Sequence, residues 1–316
     1  MNLTTVDYAL LSVPSELARL KQACERDGFF SLKNHGLDTQ RRKTFIDQMA
    51  TYFNQSLENK LEHERTAENP FGFYDKELTK NRPDWKQVFD ISLSSATPTN
   101  WPNDPTFQDI TTDWSASCHR VAIRLLEAIF ETLDLPFHAP DFGPEHTSFL
   151  RLNYYPPCPN LSVVEEVEEV EEGSKGGNQD ILGVSHHTDA GALTLLQQDD
   201  TEGLQFLVDG DWQTAPAEPS QFCVNLGDML QVWTNDRYRA PLHRVLANAN
   251  KARYSAPYFL NPTYSCDCTP LTGKEPLYQT VNWGEFRRRR ADGDYANYGD
   301  EVQISQYRIR KNQRRP

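Results

Sequence analysis

Features of membrane, secreted and nucleotide-binding proteins are missing from this sequence of 316 residues. No apolar run approaches the roughly 18 residues of a membrane span. The first residues lack the basic segment and apolar core of a signal peptide. No glycine-rich phosphate loop occurs, which argues against a nucleotide-binding βαβ unit. The sequence therefore predicts a cytoplasmic protein without a membrane partner.

Cysteine is also sparse, and its six residues are scattered without a Cys-x-x-Cys pair. This distribution argues against a disulfide framework and against a structural zinc site. Cys266 and Cys268 are separated by one residue, which is too close for an ordinary zinc knuckle. The cysteines are therefore expected to be free thiols.

Positive charge is outnumbered, since 32 Lys and Arg residues face 45 Asp and Glu residues and give a net charge of −13. Such a charge disfavours nucleic acid and anionic membranes as partners. Two short basic clusters are exceptions, residues 287–290 and the C-terminal tail. We interpret them as a solvated helix face and a frayed terminus.

The hydrophobic pattern changes along the chain. Apolar residues at three- and four-residue steps predict helices at 15–27, 39–62 and 113–133. After Pro140, short segments rich in aromatic and β-branched residues alternate with turn signals, which is typical of a sandwich or jelly roll. The class is therefore α+β, with a mostly helical N-terminal region (1–140), a strand-rich core (141–270) and a C-terminal helical segment and tail (271–316). The predicted strands are 148–155, 181–187, 192–198, 204–208, 222–226, 229–234, 243–247 and 252–260.

One acidic segment interrupts the strands. Residues 164–172 read VEEVEEVEE and are followed by GSKGGNQ. Six glutamates in nine residues repel one another, and glycine adds conformational freedom. We interpret the segment as a solvated loop, and its position before the most polar strand raises the hypothesis that it acts as a lid.

That polar strand carries the main functional signal, the sequence GVSHHTDAGALTLLQQDD. Side chains alternate along a strand, so His187 and Asp189 share one face while His186 points to the other. His243, in a second strand-like run, is the best candidate for a third ligand. Two imidazoles and one carboxylate form the facial triad that suits non-haem Fe(II) and leaves three coordination positions open.

A possible carboxylate anchor follows His243. Arg253 and Ser255 point the same way along a predicted strand. The guanidinium offers a planar fork of donors and the serine hydroxyl adds one more. The pair is therefore suited to a carboxylate, although alone it would indicate a structural arginine.

Taken together, these motifs resemble the isopenicillin N synthase-like branch of the Fe(II)/2-oxoglutarate-dependent oxygenases. The resemblance covers almost the whole chain and is carried by FLRLNYYPPCP, HTDAGALTLLQQDDTEGLQF, HRV and RYS. It implies a distorted double-stranded β-helix, or jelly roll, with a helical N-terminal region. It also implies that the enzyme uses Fe(II), 2-oxoglutarate and O2 to oxidise a small molecule, typically in specialised metabolism.

The resemblance implies roles for seven residues. Fe(II) would be held by His187, Asp189 and His243. The far carboxylate of 2-oxoglutarate would meet Arg253 and Ser255, and the family's Asn-x-Tyr pattern adds Tyr155 and Asn153. His186 is expected only to pack or to donate hydrogen bonds.

Substrate contacts in the family come from the N-terminal region and the C-terminal helix, so Tyr74, Lys76, Phe89 and Tyr295 are candidates. Formal charges at the centre do not select the sign of a substrate. Fe²⁺ and Arg253 balance Asp189 and dianionic 2-oxoglutarate. The reaction outcome and the oligomeric state stay open.

Three alternatives remain at this stage. An oxidase of the same family that uses no 2-oxoglutarate would keep Arg253 and Ser255. A non-catalytic binding protein on the same fold would be expected to have a broken metal triad, and here the triad is intact. A zinc hydrolase is disfavoured because the sequence has no His-Glu-x-x-His helix.

Overall fold

The fold is given by a computed structural model, which describes residues 3–66, 68–79, 82–93, 97–158, 182–295 and 302–309. The side chains of residues 140 and 291–295 also lie outside the description. The acidic segment 164–172 falls outside the described residues, so its lid hypothesis stays a prediction.

Six α-helices occur in the described chain, and the three predicted helical regions are confirmed in position. The region predicted as one helix over 39–62 is two helices, because Ser56 starts a new one by accepting a hydrogen bond from the Asn59 backbone N–H at 3.2 Å. Short 3₁₀ helices lie at Tyr8–Leu10, Ala139–Phe142 and Ile304–Tyr307. The helices are α1 (Pro14–Arg26), α2 (Thr39–Phe53), α3 (Leu57–Leu61), α4 (Pro105–Glu131), α5 (Asp228–Trp233) and α6 (Trp283–Tyr295).

The strands of the N-terminal region are β1 (Thr5–Asp7), β2 (Phe29–Lys33), β3 (Phe73–Tyr74), β4 (Leu78–Thr79), β5 (Arg82–Pro83) and β6 (Gln87–Ser92). Those that follow are β7 (Phe149–Tyr155), β8 (Leu182–His187), β9 (Leu193–Gln198), β10 (Leu204–Val208), β11 (Asp211–Thr214), β12 (Phe222–Leu226), β13 (His243–Leu246), β14 (Arg253–Leu260), β15 (Asp267–Cys268) and β16 (Val281–Asn282).

Two of the sheets form the core. The larger has eight strands in the order β1-β2-β12-β9-β14-β7-β6-β3, and the smaller has four in the order β11-β10-β13-β8. Their strand pairs are antiparallel, except that β1 runs parallel to β2. The order is non-sequential, as in a jelly roll, because neighbouring strands are joined by crossovers. The observed elements agree with the predicted α+β class.

Two apolar clusters separate three layers. The larger lies between the eight-stranded sheet and helices α1, α2 and α4. The smaller joins the inner faces of the two sheets, and we call it the inner cluster. It contains Phe29, Tyr155, Val184, Leu196, Leu204, Phe206, Cys223 and Val245, together with Leu3 and Ala215. The functional residues described below lie around this inner cluster.

One predicted strand is wrong. Residues 229–234 form most of α5, which begins after Gly227 and is buried on nearly every side. A short apolar segment that is buried all round shows no clear period, so a helix and a strand look alike in sequence. The structure also contains strands that were not predicted, namely β1, β3, β4, β5, β6, β11, β15 and β16.

The division of the chain at residues 140 and 270 stays a prediction. Strands β1, β2, β3 and β6 come from the N-terminal region, yet they belong to the same sheet as β7, β9, β12 and β14. In the described part of the chain, no helix has the length and apolar character needed to cross a membrane. The cytoplasmic location also stays a prediction.

Candidate metal centre

Three potential metal ligands meet where two strands of the smaller sheet pair. His187 is the last residue of β8 and lies directly opposite His243, the first residue of β13. Asp189 lies two residues beyond the end of β8, and its Oδ1 is 3.6 Å from the Nε2 atom of each histidine. The three ligand atoms lie within 4.8 Å of one another, so they can bind one metal ion.

Both histidines are oriented by backbone carbonyls. His187 Nδ1 lies 2.8 Å from the carbonyl oxygen of Ser185, and His243 Nδ1 lies 3.1 Å from that of Pro241. Donation of Nδ1–H to these carbonyls leaves the Nε2 lone pairs facing Asp189. The carbonyls therefore select the tautomer that binds a metal.

Asp189 is held by two donors from the larger sheet. Its Oδ2 accepts hydrogen bonds from Thr194 Oγ1 at 2.5 Å and from Asn225 Nδ2 at 2.7 Å. Thr194 and Asn225 are register partners in β9 and β12. They leave Oδ1 turned towards the histidines, which fixes the carboxylate for coordination.

The protonation states also suit a metal. Burial lowers the pKa of His187 to about 3, and the nearby His243 acts in the same direction. Burial alone would raise the pKa of Asp189, but His243, His187 and the two hydrogen bonds outweigh it and hold that pKa below its ordinary value. At neutral pH the site thus has an uncharged His187 and an ionised Asp189, the forms that bind divalent metals.

Removal of the donors to Asp189 should weaken metal binding without removing a ligand. We expect Thr194→Val and Asn225→Ala each to reduce Fe(II) affinity about 10- to 100-fold, because the carboxylate loses its orientation. Equilibrium dialysis against Fe(II) under anaerobic conditions measures this. Thr51→Val, on the exposed face of α2, is the matched control, and an equal loss there would contradict the assignment.

A second polar group lies between β14 and β7. Arg253 pairs with Tyr155, and Ser255 pairs with Asn153. Arg253 is only 1% exposed, and its Cζ lies 4.9 Å from the centroid of the Tyr155 ring. The structure therefore brings together all four residues predicted for the co-substrate.

Arg253 keeps one donor nitrogen unused. Its Nε donates to the carbonyl of Thr201 at 3.2 Å and its Nη2 donates to Gln198 Oε1 at 2.9 Å. Its Nη1 is buried without a hydrogen-bond partner in the described chain. A buried, unpaired guanidinium N–H is costly, so this atom fits an anionic ligand.

Ser255 and Asn153 complete this group. Asn153 Nδ2 donates to Ser255 Oγ at 3.4 Å, and both side chains are buried. This contact leaves the serine hydroxyl hydrogen available as a donor beside Arg253. The donor set therefore fits a carboxylate.

A glycine makes room for the Tyr155 ring. A Cβ at Gly183 of β8 would lie 2.8 Å from Tyr155 Cδ1. Any larger residue would push the ring away from Arg253. Tyr155 belongs to the inner cluster with Phe29, whose ring also contacts His243 at a centroid distance of 6.0 Å. The metal ligands and Arg253 thus flank the same apolar interior.

Two of the candidate substrate residues cannot be placed at the site. Phe89 is 0% exposed and packs against Tyr52 and Phe107 in the larger core, with ring centroids 4.9 and 5.5 Å away. This burial excludes contact with a substrate, so the prediction for Phe89 is wrong. Tyr295 ends α6, and its side chain lies outside the description.

The other two candidates lie on a neighbouring surface. Tyr74 is half-buried beneath the guanidinium of Arg65, whose Cζ is 4.4 Å from the ring centroid. Lys76 is exposed and forms an ion pair with Glu64 at 3.4 Å. Neither lines the cavity beside the metal ligands, so their substrate roles stay predictions.

The structure adds residues that the sequence did not single out. A cavity lined by His187 and Asp189 is also lined by five charged side chains from β4, β6, β7 and α6 or their flanks. One of them, Arg151, could have been found from the segment FLRLNYY, because alternation along the strand puts it on the same face as Asn153 and Tyr155. The five are Glu77, Lys86, Arg151, Arg287 and Arg290.

Glu77, Lys86 and Arg151 belong to a buried charge network of three cations and three anions. Glu77 lies at its centre and contacts Arg65, Lys86 and Arg151 at 2.6, 2.9 and 2.8 Å. Burial alone would raise the pKa of Glu77, but these cations hold it well below its ordinary value. The network is completed by Asp84, 2.9 Å from Lys86, and by Asp90, 2.7 Å from both Arg65 and Arg151.

The interpretation of residues 287–290 as a solvated helix face is wrong for Arg290. This side chain is buried and donates to the carbonyls of Thr188 at 2.6 Å and Val302 at 3.1 Å. It also lies 3.8 Å from the carboxylate of Asp228. Arg290 therefore ties α6 to the turn between two metal ligands, whereas Arg288 and Arg289 are exposed.

Comparison with known proteins gives matches over nearly the whole chain. Residues 146–262 match the model of the 2OG-Fe(II) oxygenase superfamily, and residues 3–108 match that of the non-haem dioxygenase in morphine synthesis N-terminal family. The chain is 29% identical to gibberellin 2-beta-dioxygenase 1 of Arabidopsis thaliana over 301 residues, 88% of this chain and 85% of the relative.

Two further matches agree. The chain is 31% identical to oxoglutarate-dependent flavonoid 7-O-demethylase 1 of Ocimum basilicum over 288 residues, 87% of this chain and 73% of the relative. It is also similar to the crystal structure of JOX2 in complex with 2OG, Fe and JA. That match has a TM-score of 0.79 and 26% identity, and it covers 91% of this chain and 84% of the other.

Proposed function

The chain belongs to the 2OG-Fe(II) oxygenase superfamily and is an Fe(II)- and 2-oxoglutarate-dependent dioxygenase, and from this premise we propose that it oxidises a C–H bond of a small organic molecule. The outcome is hydroxylation, desaturation or oxidative cyclisation, with release of succinate and CO2. Similarity to a gibberellin dioxygenase and a flavonoid demethylase supports a small organic substrate.

In this proposal His187, Asp189 and His243 hold Fe(II). Their Nε2 and Oδ1 atoms face one another, and each ligand is oriented by a carbonyl, hydroxyl or amide group. Two imidazoles and one carboxylate leave open positions on the metal. When bound, Fe(II) and 2-oxoglutarate supply the O2-dependent oxidation while 2-oxoglutarate is converted to succinate and CO2.

The unpartnered Nη1 of Arg253 is the observation that carries the co-substrate assignment. We assign this nitrogen and the Ser255 hydroxyl to the far carboxylate of 2-oxoglutarate, with Tyr155 packed against the guanidinium. Gln198 and Thr201 hold the other two nitrogens, so the free donor has a fixed direction. Asn153 supports the serine.

The rest of the site binds, orients and excludes water. The inner cluster encloses the space beside His243 and Tyr155 with apolar side chains. Such an interior strengthens the ion pair expected between Arg253 and a carboxylate. It also keeps water away from the reacting C–H bond.

The test is anaerobic addition of Fe(II) and then 2-oxoglutarate to the purified protein, with the visible charge-transfer band of the chelated ketoacid as the signal. We expect the band in the wild type. Arg253→Ala should bind 2-oxoglutarate about 10- to 100-fold more weakly, because a buried charged hydrogen bond is lost. Fe(II) binding measured without 2-oxoglutarate serves as the control and should persist in this variant.

Each other outcome is informative. An unchanged affinity in Arg253→Ala would remove the carboxylate assignment. Iron binding without the band would favour the oxidase that uses no 2-oxoglutarate. With the co-substrate established, succinate release identifies substrates in a screen.

A further inference from the structure

Arg287 differs from the other cations of the cavity beside the metal ligands. It lies on α6, is half-buried, and its Cζ is 5.7 Å from the centroid of the Phe149 ring. No hydrogen bond or ion pair to its guanidinium occurs within the described residues. Its cavity is the one that His187 and Asp189 line.

Every other cation there has a carboxylate nearby. Lys86 contacts Glu77 and Asp84, Arg151 contacts Glu77 and Asp90, and Arg290 lies beside Asp228. With Arg65 included, four cations face four carboxylates in this part of the described chain. Arg287 is the cation in excess.

The metal centre does not supply the missing negative charge. Fe²⁺ and Arg253 together balance Asp189 and dianionic 2-oxoglutarate. Arg287 therefore adds one positive charge to a metal centre whose formal charges sum to zero. The charge count made from the sequence did not include this residue. Partial burial removes water from a guanidinium, and an ion pair with an anion compensates best for that loss.

A second guanidinium lies near the same aromatic ring as Arg287. The Cζ of Arg151 lies 5.9 Å from the same Phe149 ring that Arg287 approaches at 5.7 Å. Two cations from β7 and α6 thus converge on one aromatic side chain at the wall of the cavity. Glu77 and Asp90 already compensate the charge of Arg151, so within the described residues the uncompensated charge at this wall is that of Arg287.

We propose that the substrate of this enzyme is a monoanion whose carboxylate binds Arg287. The guanidinium fork matches a carboxylate in a bidentate geometry, and the single excess charge calls for one such group. The carboxylate end lies against α6 and Phe149, and the remainder of the molecule extends towards His187 and Asp189. This inference rests on the proposed oxygenase function and adds the chemical class of its substrate.

The test uses protein loaded with Fe(II) and saturating 2-oxoglutarate under anaerobic conditions, so that Arg253 is already engaged. Benzoate, phenylacetate and cyclohexylacetate are titrated beside their primary amides, with calorimetry and perturbation of the visible band as signals. Inorganic phosphate and sulfate form separate arms. We expect at least one carboxylate to bind about 10-fold or more tightly than its amide.

Variants on the same helix assign the effect. Arg287→Gln should weaken the preferred carboxylate about 10- to 100-fold and leave its amide and 2-oxoglutarate unchanged. Arg288→Gln removes the same charge one residue away, on an exposed position, and should change nothing. Arg287→Lys should retain part of the binding, because it keeps the charge but loses the fork.

The inference is overturned if amides bind as tightly as carboxylates, if no carboxylate binds at millimolar concentration, or if Arg287→Gln and Arg288→Gln behave alike. Tighter binding of phosphate or sulfate would overturn the carboxylate assignment. In these cases a normal Fe(II) and 2-oxoglutarate band leaves the oxygenase function standing. Loss of that band in the wild type would instead contradict the proposed function, and this inference with it.

Discussion

His187→Ala is expected to abolish Fe(II) binding and turnover, whereas His186→Ala should keep most of both. His187 faces Asp189 and His243, and its Nε2 lies 3.6 Å from Asp189 Oδ1. His186 is exposed on the other face of β8. Removal of one of three protein ligands leaves too few donors to hold the metal in an open site.

The two histidines are neighbours of the same type, so each variant controls for the other. Anaerobic dialysis gives the bound iron, and succinate formation gives the turnover. Circular dichroism should show the same fold in both variants. Similar iron losses at the two positions would contradict the assignment of strand faces.

Glu77→Ala should lower the free energy of unfolding by about 3–5 kcal/mol, the largest stability effect expected for this protein. Its carboxylate is buried and lies within 3 Å of three cations, Arg65, Lys86 and Arg151. Without it these charges stay buried with only two carboxylates among them. Denaturant unfolding followed by fluorescence measures the change.

Glu64→Ala is the matched control, because Glu64 pairs with Lys76 near the surface at 3.4 Å. An exposed pair contributes about 0–1 kcal/mol, so the two glutamate variants should differ clearly. Equal effects would show that the buried network contributes little.

The contribution of Glu77 should also depend on pH in one direction. Its cation partners hold the pKa well below the ordinary value of 4.5 against the opposing effect of burial. Stability from this group is therefore complete above about pH 4.5 and is lost as the pH falls towards the folded-state pKa. Between pH 5 and 8 the difference between wild type and Glu77→Ala should stay constant, as measured by unfolding at several pH values.

Several elements followed directly from local sequence. The apolar stripe of α4 predicted a helix because apolar residues recur at the helical spacing on the face that packs. Asp104 adds a side-chain cap at the start of this helix. Strands β7, β8, β9 and β14 were recognised because their segments are rich in aromatic and β-branched residues and are separated by turn signals. Segment 229–234 was not, since full burial on all sides removes the period that separates helix from strand.

Local sequence also identified the candidate metal ligands and the candidate co-substrate residues. Each of these residues lies close along one strand to another of the same set, or belongs to a short recognisable motif. The charges that line the cavity could not be found in this way. Glu77, Lys86, Arg151 and Arg287 come from distant segments, and only the packing of β6, β7 and α6 brings them to one wall.

The sequence by itself indicated the α+β class, the three candidate metal ligands and the arginine and serine suited to 2-oxoglutarate, because these depend on residue type, strand alternation and short motifs. Only the tertiary structure decided that Phe89 is core and that Arg290 is buried. It also decided that, among the described residues, one N–H of Arg253 is unused and Arg287 has no carboxylate partner. Those properties depend on contacts between side chains from segments distant in sequence, because these contacts determine burial and charge balance.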